Sequence, residues 1–447
     1  MRVLLGGLLI VLCGSMSQAA ERPNFIVFIA DDMAWDDCGA YGHPSIRTPN
    51  IDALARDGLR FDNAFLTCSS CSPSRCSILT GRYPHNTGAP ELHQPLPADQ
   101  ITVARRLKDA GYYTAAAGKW HLGPNEKRNF DRIYGGRENV WLEAIEQRPK
   151  NQPFFLWMAF FDPHRPYQDG TIDEPHKLSD AVVPPYLPDV LATRHDLAMY
   201  YDEIARLDGV VGEVLAELDK QGAADDTVVV FLSDNGRPFP RAKTTIYDSG
   251  IKTPWIVRWP KQVAAGGATE SLISSIDLAP TILELAGVPA GPTFQGKSFA
   301  PILSNPKAKT RDAVFAEHNW HDFNAHGRAI RTPRYKLIEN TYNDLPGTPP
   351  ADAVRGETYQ AMIKLRSEGK LGDNQQQCFT EPRPAVELYD LQTDPDELRN
   401  LADDPQYAKV RDELLGQLQT WKKETGDSVP AQRRPAKFDR QTGERLN

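Results

Sequence analysis

The chain has 447 residues, 40% of them hydrophobic and 25% charged. That balance suits a soluble globular protein with a core large enough for one or two domains. Fifty-nine acidic residues against 51 basic ones give a formal net charge of -8, which argues against the basic surface of a nucleic-acid binder. An anionic ligand must therefore be held by a local cluster of positive groups, against the field of the whole molecule.

The first twenty residues differ from the rest. Arg2 is a short positive region, Val3 to Cys13 is an apolar run of eleven, and Ser17-Gln18-Ala19 fits a small-residue cleavage site. Residues 1–20 are thus expected to be a signal peptide cleaved near Ala19, giving a periplasmic, secreted or lumenal protein. The run is shorter than the ~20 residues of a membrane span, so no transmembrane anchor is expected. A lipoprotein attachment at Cys13 fits poorly, because Leu12 stands where a small residue is expected. Cleavage leaves Cys38, Cys68, Cys71, Cys76 and Cys378. An odd number, with three crowded together, is a weak pattern for a disulfide framework and suggests chemical work for at least one.

Four apolar runs read as buried strands, and each ends in a polar cluster. Asn24 to Ala30 runs into Asp31-Asp32, and Tyr112 to Ala117 into Gly118-Lys119-Trp120-His121. Phe154 to Phe161 runs into Asp162-Pro163-His164, and Thr227 to Leu232 into Ser233-Asp234-Asn235. Helical periodicity covers Asp196 to Lys220, and a second helix opens at Asp277 and ends near Gly287. Strands alternating with helices imply an α/β sheet, whose ligands gather at the carboxyl ends of the strands. The four clusters are therefore expected to converge on one edge. Past about residue 305, short spaced strands are predicted at Ala313 to Glu317, Tyr335 to Glu339 and Glu387 to Asp390. An amphipathic helix follows over Gln406 to Thr425, with Tyr407, Val410, Leu414, Leu418 and Trp421 on one face.

Pro73 suits the first turn of a helix, which places Cys71 just before a helix N-terminus, where free N–H groups and the macrodipole favour an anion. Arg75, one turn on, can clamp the Cys71 side chain and its charge. A zinc or disulfide site on Cys68, Cys71 and Cys76 is the alternative, but no second ligand pair stands at zinc spacing. Asp31, Asp32, Asp234 and Asn235 offer four oxygen-bearing side chains, a set suited to a hard cation such as calcium.

Cys71-Ser72-Pro73-Ser74-Arg75, followed by Thr80-Gly81, resembles the signature of the type I, formylglycine-dependent sulfatases. The likeness runs from Arg22 to about Val429. It implies an alkaline-phosphatase-like α/β sandwich, with a large mixed β-sheet between helices, over residues 21–305. A smaller C-terminal α+β unit with a short antiparallel sheet would follow over 306–447. It also implies that a separate maturation enzyme oxidises Cys71 to an aldehyde, whose hydrate takes the sulfuryl group from a sulfated saccharide and then expels sulfate. One calcium ion would be held by Asp31, Asp32, the oxidised Cys71, Asp234 and Asn235.

By the same resemblance Lys119 binds sulfate and helps hold the nucleophile, and His121 takes a proton as sulfate leaves. His164 contacts the leaving-group side, and Lys243 contacts sulfate and helps protonate the leaving atom. Ser69 to Arg75, Ser233 to Pro240 and the tail from Glu387 to Leu401 are similar to the heparan N-sulfatase (sulfamidase) branch. Two features depart from it. Lys243 stands where that branch has arginine, and Tyr247 to Pro254 is closer to general sulfatases. A sulfate ester on another polysaccharide stays open beside the sulfamate. So do phosphoester or phosphonate hydrolysis, a glycan-binding relic in which Cys71 is never oxidised, and a homodimer.

Overall fold

A computed structural model describes residues 22–137 and 139–446; the segment read as a signal peptide, with Cys13 and Ala19, lies outside the described residues. The strands of the first 274 residues are β1 (Asn24–Ala30), β2 (Leu59–Phe61), β3 (Ala64–Phe65), β4 (Tyr113–Gly118), β5 (Arg132–Tyr134), β6 (Phe154–Ala159), β7 (Thr227–Ser233), β8 (Trp255–Arg258), β9 (Gly267–Thr269) and β10 (Ile273–Ser274). Eight of them make one mixed sheet in the order β5-β4-β6-β1-β7-β8-β2-β9, while β3 and β10 pair separately. The run from β5 to β7 is wholly parallel. β8 adds antiparallel to β7, and β2 pairs antiparallel with β8 and parallel with β9.

Continuous apolar runs are what a parallel sheet covered on both faces requires. In β1, Ile26 and Phe28 enter one core with Leu197, Ile204, Leu207, Val211 and Val214 of the helix Leu191–Lys220. Phe25, Val27 and Ile29 enter the other core. There they meet Ile78 and Leu79 of the helix Cys71–Thr80 and Leu278, Ile282 and Leu283 of the helix Leu278–Leu285. Register then aligns the four strand ends. Gly118 pairs with Ala159, Ala159 with Ile29, and Ala30 with Ser233. Asp31, Lys119, the loop to His164, and Asp234 accordingly leave the same edge side by side, as the strand-end pattern predicts.

The C-terminal sheet is antiparallel in the order β11 (Val314–His318), β12 (Gly327–Arg331), β13 (Tyr335–Asn340) and β14 (Val386–Asp390). β12 is absent from the sequence reading. Leu414, Leu418 and Trp421 of the helix Ala408–Thr425 cover one face, against Ile330, Leu337 and Leu388. The other face sets Ala316, Ala329 and Ile338 against Phe65, Leu66, Ile246 and Ile251. The segments leading into Cys71 and out of Lys243 are thus backed by this second sheet. Between β13 and β14, the helices Ala351–Val354 and Glu357–Ser367 fold back onto the first core through Val354, Tyr359 and Met362. Among the described residues, no helix is long and apolar enough to cross a membrane.

Candidate active site

Cys71 is the first residue of its helix, one place later than predicted, with Ser70 as N-cap. Its side chain is buried and its Sγ lies 3.9 Å from Asp32 Oδ1. Asn235 Nδ2 donates to Asp32 Oδ1 at 3.0 Å, to Asp234 Oδ1 at 2.8 Å and toward Cys71 Sγ at 3.4 Å. Asp31, Asp32 and Cys71 form a compact group of potential metal ligands, and no such group among the described residues contains a second cysteine. The proposed zinc pairing of Cys68 and Cys76 with Cys71 therefore has no support here.

Three cations are folded into the cluster. Arg75 Nε donates to Asp234 Oδ2 at 2.7 Å, and its Nη2 lies 3.5 Å from Asp31 Oδ1. Lys119 Nζ donates to Asp31 Oδ2, and Lys243 Nζ donates to Asp32 Oδ2 at 2.6 Å. Burial opposes ionisation of Asp31, but Lys119, His164, Arg75 and Lys243 outweigh it and hold the carboxyl well below its usual range. For Asp32 and Asp234 burial wins, and each is pushed up to about 6 despite Lys243 and Arg75 respectively. Burial also pushes the Cys71 thiol far up, against the pull of Lys119 and Lys243. An unmodified Cys71 is therefore a protonated, poor nucleophile.

Two glycines shape the strand ends. Gly118 has φ +84, and a Cβ there would meet Ala159 O at 2.0 Å; the turn it permits sends Lys119 and His121 inward. A Cβ on Gly236 would meet Ser249 O at 1.9 Å, so the chain after Asn235 passes where no side chain fits.

His121 is pulled down to about 2 by burial, with Lys119 and Arg75 adding, so it is neutral in this arrangement. Its Nε2 lies 2.7 Å from His93 Nδ1. His164 hydrogen-bonds the Arg165 carbonyl through Nδ1 at 2.5 Å, which places the proton on that nitrogen because a carbonyl only accepts. Its Nε2 faces Asp32 at 3.9 Å and Asp352 at 3.5 Å. Arg206 grips both oxygens of Asp162 at 2.8 Å and so anchors this loop. The other predicted site residues meet at one location, and His121 stands near it, within electrostatic reach of Lys119, Arg75 and Asp31.

The sequence reading missed His93, His321 and Asp352. His321 Nδ1 pairs with Ser70 Oγ at 2.8 Å, and Asp352 Oδ2 lies 3.6 Å from Lys243 Nζ. A Pro350 before Ala351–Val354 signals a helix start, but nothing local says where Asp352 ends up.

The donor set fits a hard dication. Asp31 Oδ1 is buried with no hydrogen bond, only the Arg75 guanidinium at 3.5 Å, and Asp32, Asp234 and the Asn235 carboxamide meet beside Cys71, an oxygen-rich set of the kind a hard cation takes. Charge points the same way: Asp31, Asp32, Asp234 and Asp352 outnumber Arg75, Lys119 and Lys243 by one, so an anionic substrate needs added positive charge.

Residues 23–288 match the family model described as Sulfatase, and residues 241–347 match that of the N-sulphoglucosamine sulphohydrolase C-terminal region. Human N-sulphoglucosamine sulphohydrolase is 33% identical over 91% of this chain and 91% of its own length. An ulvan-active sulfatase of Formosa agariphila is 30% identical over 92% of this chain and 76% of its own. A solved enzyme in complex with its substrate D-glucosamine-2-N,6-O-disulfate superposes with a TM-score of 0.71 at 23% identity. It covers 92% of this chain and 99% of that one, which shows a shared fold.

Proposed function

The chain belongs to the sulfatase family, hydrolases of sulfate esters and sulfamates, and on that premise we propose that it desulfates a saccharide through a formylglycine made from Cys71. The observation that carries the reading is the meeting of Cys71 Sγ with Asn235 and Asp32 in a buried, cation-lined cluster. Formylglycine supplies a hydrated aldehyde, one hydroxyl of which takes the sulfuryl group while the other allows sulfate to be expelled. Arg75 holds the nucleophile's position from Asp234 and Asp31. Lys119 and Lys243 receive the sulfate oxygens. Lys243 gives a proton to the departing oxygen or nitrogen, His164 contacts the leaving-group side through Nε2, and neutral His121 accepts a proton as sulfate leaves. Asp31, Asp32, Asp234 and Asn235 would hold a calcium ion, which supplies charge that acidifies a neighbouring hydroxyl and neutralises sulfate oxygens.

Because Cys71 is buried in the folded chain, a maturation enzyme would have to act before folding, consistent with export after cleavage near Ala19. The same reading takes residues 21–305 as the catalytic unit and 306–447 as a smaller unit that lends Asp352 and His321 to the site.

Likeness to the human sulphohydrolase over nearly the whole chain makes N-sulfoglucosamine the first substrate to test. Lys243 favours a second reading, an O-sulfate ester, because lysine gives up a proton more readily than arginine. Intact-peptide mass spectrometry across Cys71, with aldehyde trapping, should show conversion in active protein, and N-sulfoglucosamine, glucose 6-sulfate and a phosphate ester should then be compared. An unmodified thiol in active protein would sink the mechanism, and turnover of the phosphate ester alone would sink the sulfatase reading.

A further inference from the structure

We infer that Asp352 receives the leaving side of the substrate, accepting a hydrogen bond from the N–H or O–H of the departing sugar, with an amine as its best partner. The inference rests on the proposed sulfatase reading of the same site. Ala353 N–H donates to Asp352 Oδ1 at 2.8 Å, and Ala351 N–H donates to Asp322 Oδ2 at 2.9 Å, which together fix the short helix and the carboxylate on it. Asp352 Oδ2 is left facing the site, 3.5 Å from His164 Nε2 and 3.6 Å from Lys243 Nζ. Its side chain keeps 19% of its exposure, whereas that of Asp32 has none. Asp352 therefore stands at the mouth, outside the oxygen set around Cys71. A cavity of 380 Å³ opens beyond it, lined by His164, Tyr167, Asp352, Arg355 and Glu357, within the size range of small-ligand sites.

A carboxylate is a poor neighbour for sulfate oxygens, which are met by Lys119 and Lys243. Its useful direction is across the scissile bond. A sugar nitrogen that leaves sulfur and gains protons becomes a donor, and then a cation, and an ionised carboxylate stabilises both. A departing phenolate offers no donor and is repelled. Asp352 also flanks Lys243, so a proton passed from that lysine to the leaving atom stays beside an acceptor.

The test compares matured wild type with Asp352→Asn on N-sulfoglucosamine, glucose 6-sulfate and 4-nitrophenyl sulfate. Losing one charge-assisted hydrogen bond should lower kcat/KM for the sugar relative to the aryl sulfate by about 30-fold, and more for the sulfamate than for the ester. A ratio that stays within about threefold, both activities falling together, would overturn the inference and leave Asp352 as a mere ion-pair partner of Lys243. Should wild type cleave none of these compounds, the proposed function fails, and binding decides the role of Asp352 separately. Titration with glucosamine and with inorganic sulfate should then show glucosamine weakened about tenfold by Asp352→Asn and sulfate not weakened. Equal effects on the two ligands would overturn it.

Discussion

His121 Nε2 lies 2.7 Å from His93 Nδ1, and the His93 backbone N–H donates to Ser72 Oγ at 2.8 Å. The residue after Cys71 is thereby tied, through a second histidine, to the group placed to take a proton as sulfate leaves. Two ring nitrogens at this distance share one hydrogen, so His93 fixes the orientation of His121 and couples the tautomers of the two rings. His93→Ala is expected to lower kcat by about tenfold to a hundredfold with KM little changed, and added imidazole should restore part of the loss. Steady-state kinetics with and without imidazole check this. An unaltered kcat would reduce the contact to packing.

The strand-end residues were legible because a parallel strand buried on both faces must be apolar throughout. The first polar residue after Ala30, Gly118, Ala159 or Leu232 therefore marks an edge of the sheet. Asp31, Asp32, Lys119, Asp234 and Asn235 follow from that pattern, and the motif around Cys71 supplies its partner. Asp352 and His93 carry no such mark. Asp352 meets Lys243 only because the segment between β13 and β14 packs back through Val354 and Tyr359 onto the first core. His93 has φ +65 in a loop, where no periodicity reports direction. β12, at Gly327–Arg331, went unread because two of its five residues are buried arginines, and alternation within it is weak.

Calcium should stabilise the fold as well as support turnover, because an ion that binds only the native state raises stability by about 2.7 kcal/mol at a hundredfold excess over Kd. Chelation should therefore lower Tm, and added calcium should raise it. Asn235→Leu removes the carboxamide that lies among the proposed calcium ligands and should flatten that calcium response. Thermal unfolding against free calcium measures it without reference to activity. A Tm indifferent to calcium in wild type would refute the assignment.

A buried ionic network behind the site gives a pH signature. His85 Nδ1 lies 2.9 Å from Glu317 Oε1 and 4.0 Å from Asp427 Oδ1, and Arg328 holds Asp427 at 2.7 Å and faces Glu317 at 3.7 Å. Burial would lower the pKa of His85, but the hydrogen bond and charge of Glu317, with Asp427, raise it above 6.5 despite Arg328. Its stabilisation is therefore complete below 6.5 and fades as pH rises through the raised value. Burial would raise Glu317 and Asp427, but Arg328 and His85 hold them below 4.5 and 3.8 respectively. Their contribution is present above those values and fades as pH falls. The Tm difference between wild type and His85→Gln should be largest near pH 5 to 6 and should shrink toward pH 8. A difference that is flat across this range would show that His85 stays neutral.

Arg75 offers the sharpest separation of charge from geometry. It has no solvent exposure, its Nε donates to Asp234 at 2.7 Å, its Nη1 reaches the Lys119 carbonyl at 3.4 Å, and its Nη2 faces Asp31 at 3.5 Å. Lysine keeps the positive charge but has no planar fork, so Arg75→Lys cannot serve Asp234, Asp31 and the carbonyl together. One carboxylate is left inadequately paired in the interior, which costs on the order of 3–5 kcal/mol when a buried pair is broken. Activity should fall steeply as well, since the same carboxylates position the groups around Cys71. Urea unfolding, with formylglycine content measured on the same preparation, checks both effects and separates them from failed maturation. A fully matured Arg75→Lys protein that unfolds within about 1 kcal/mol of wild type would show that charge alone suffices at this position and that the fork is dispensable.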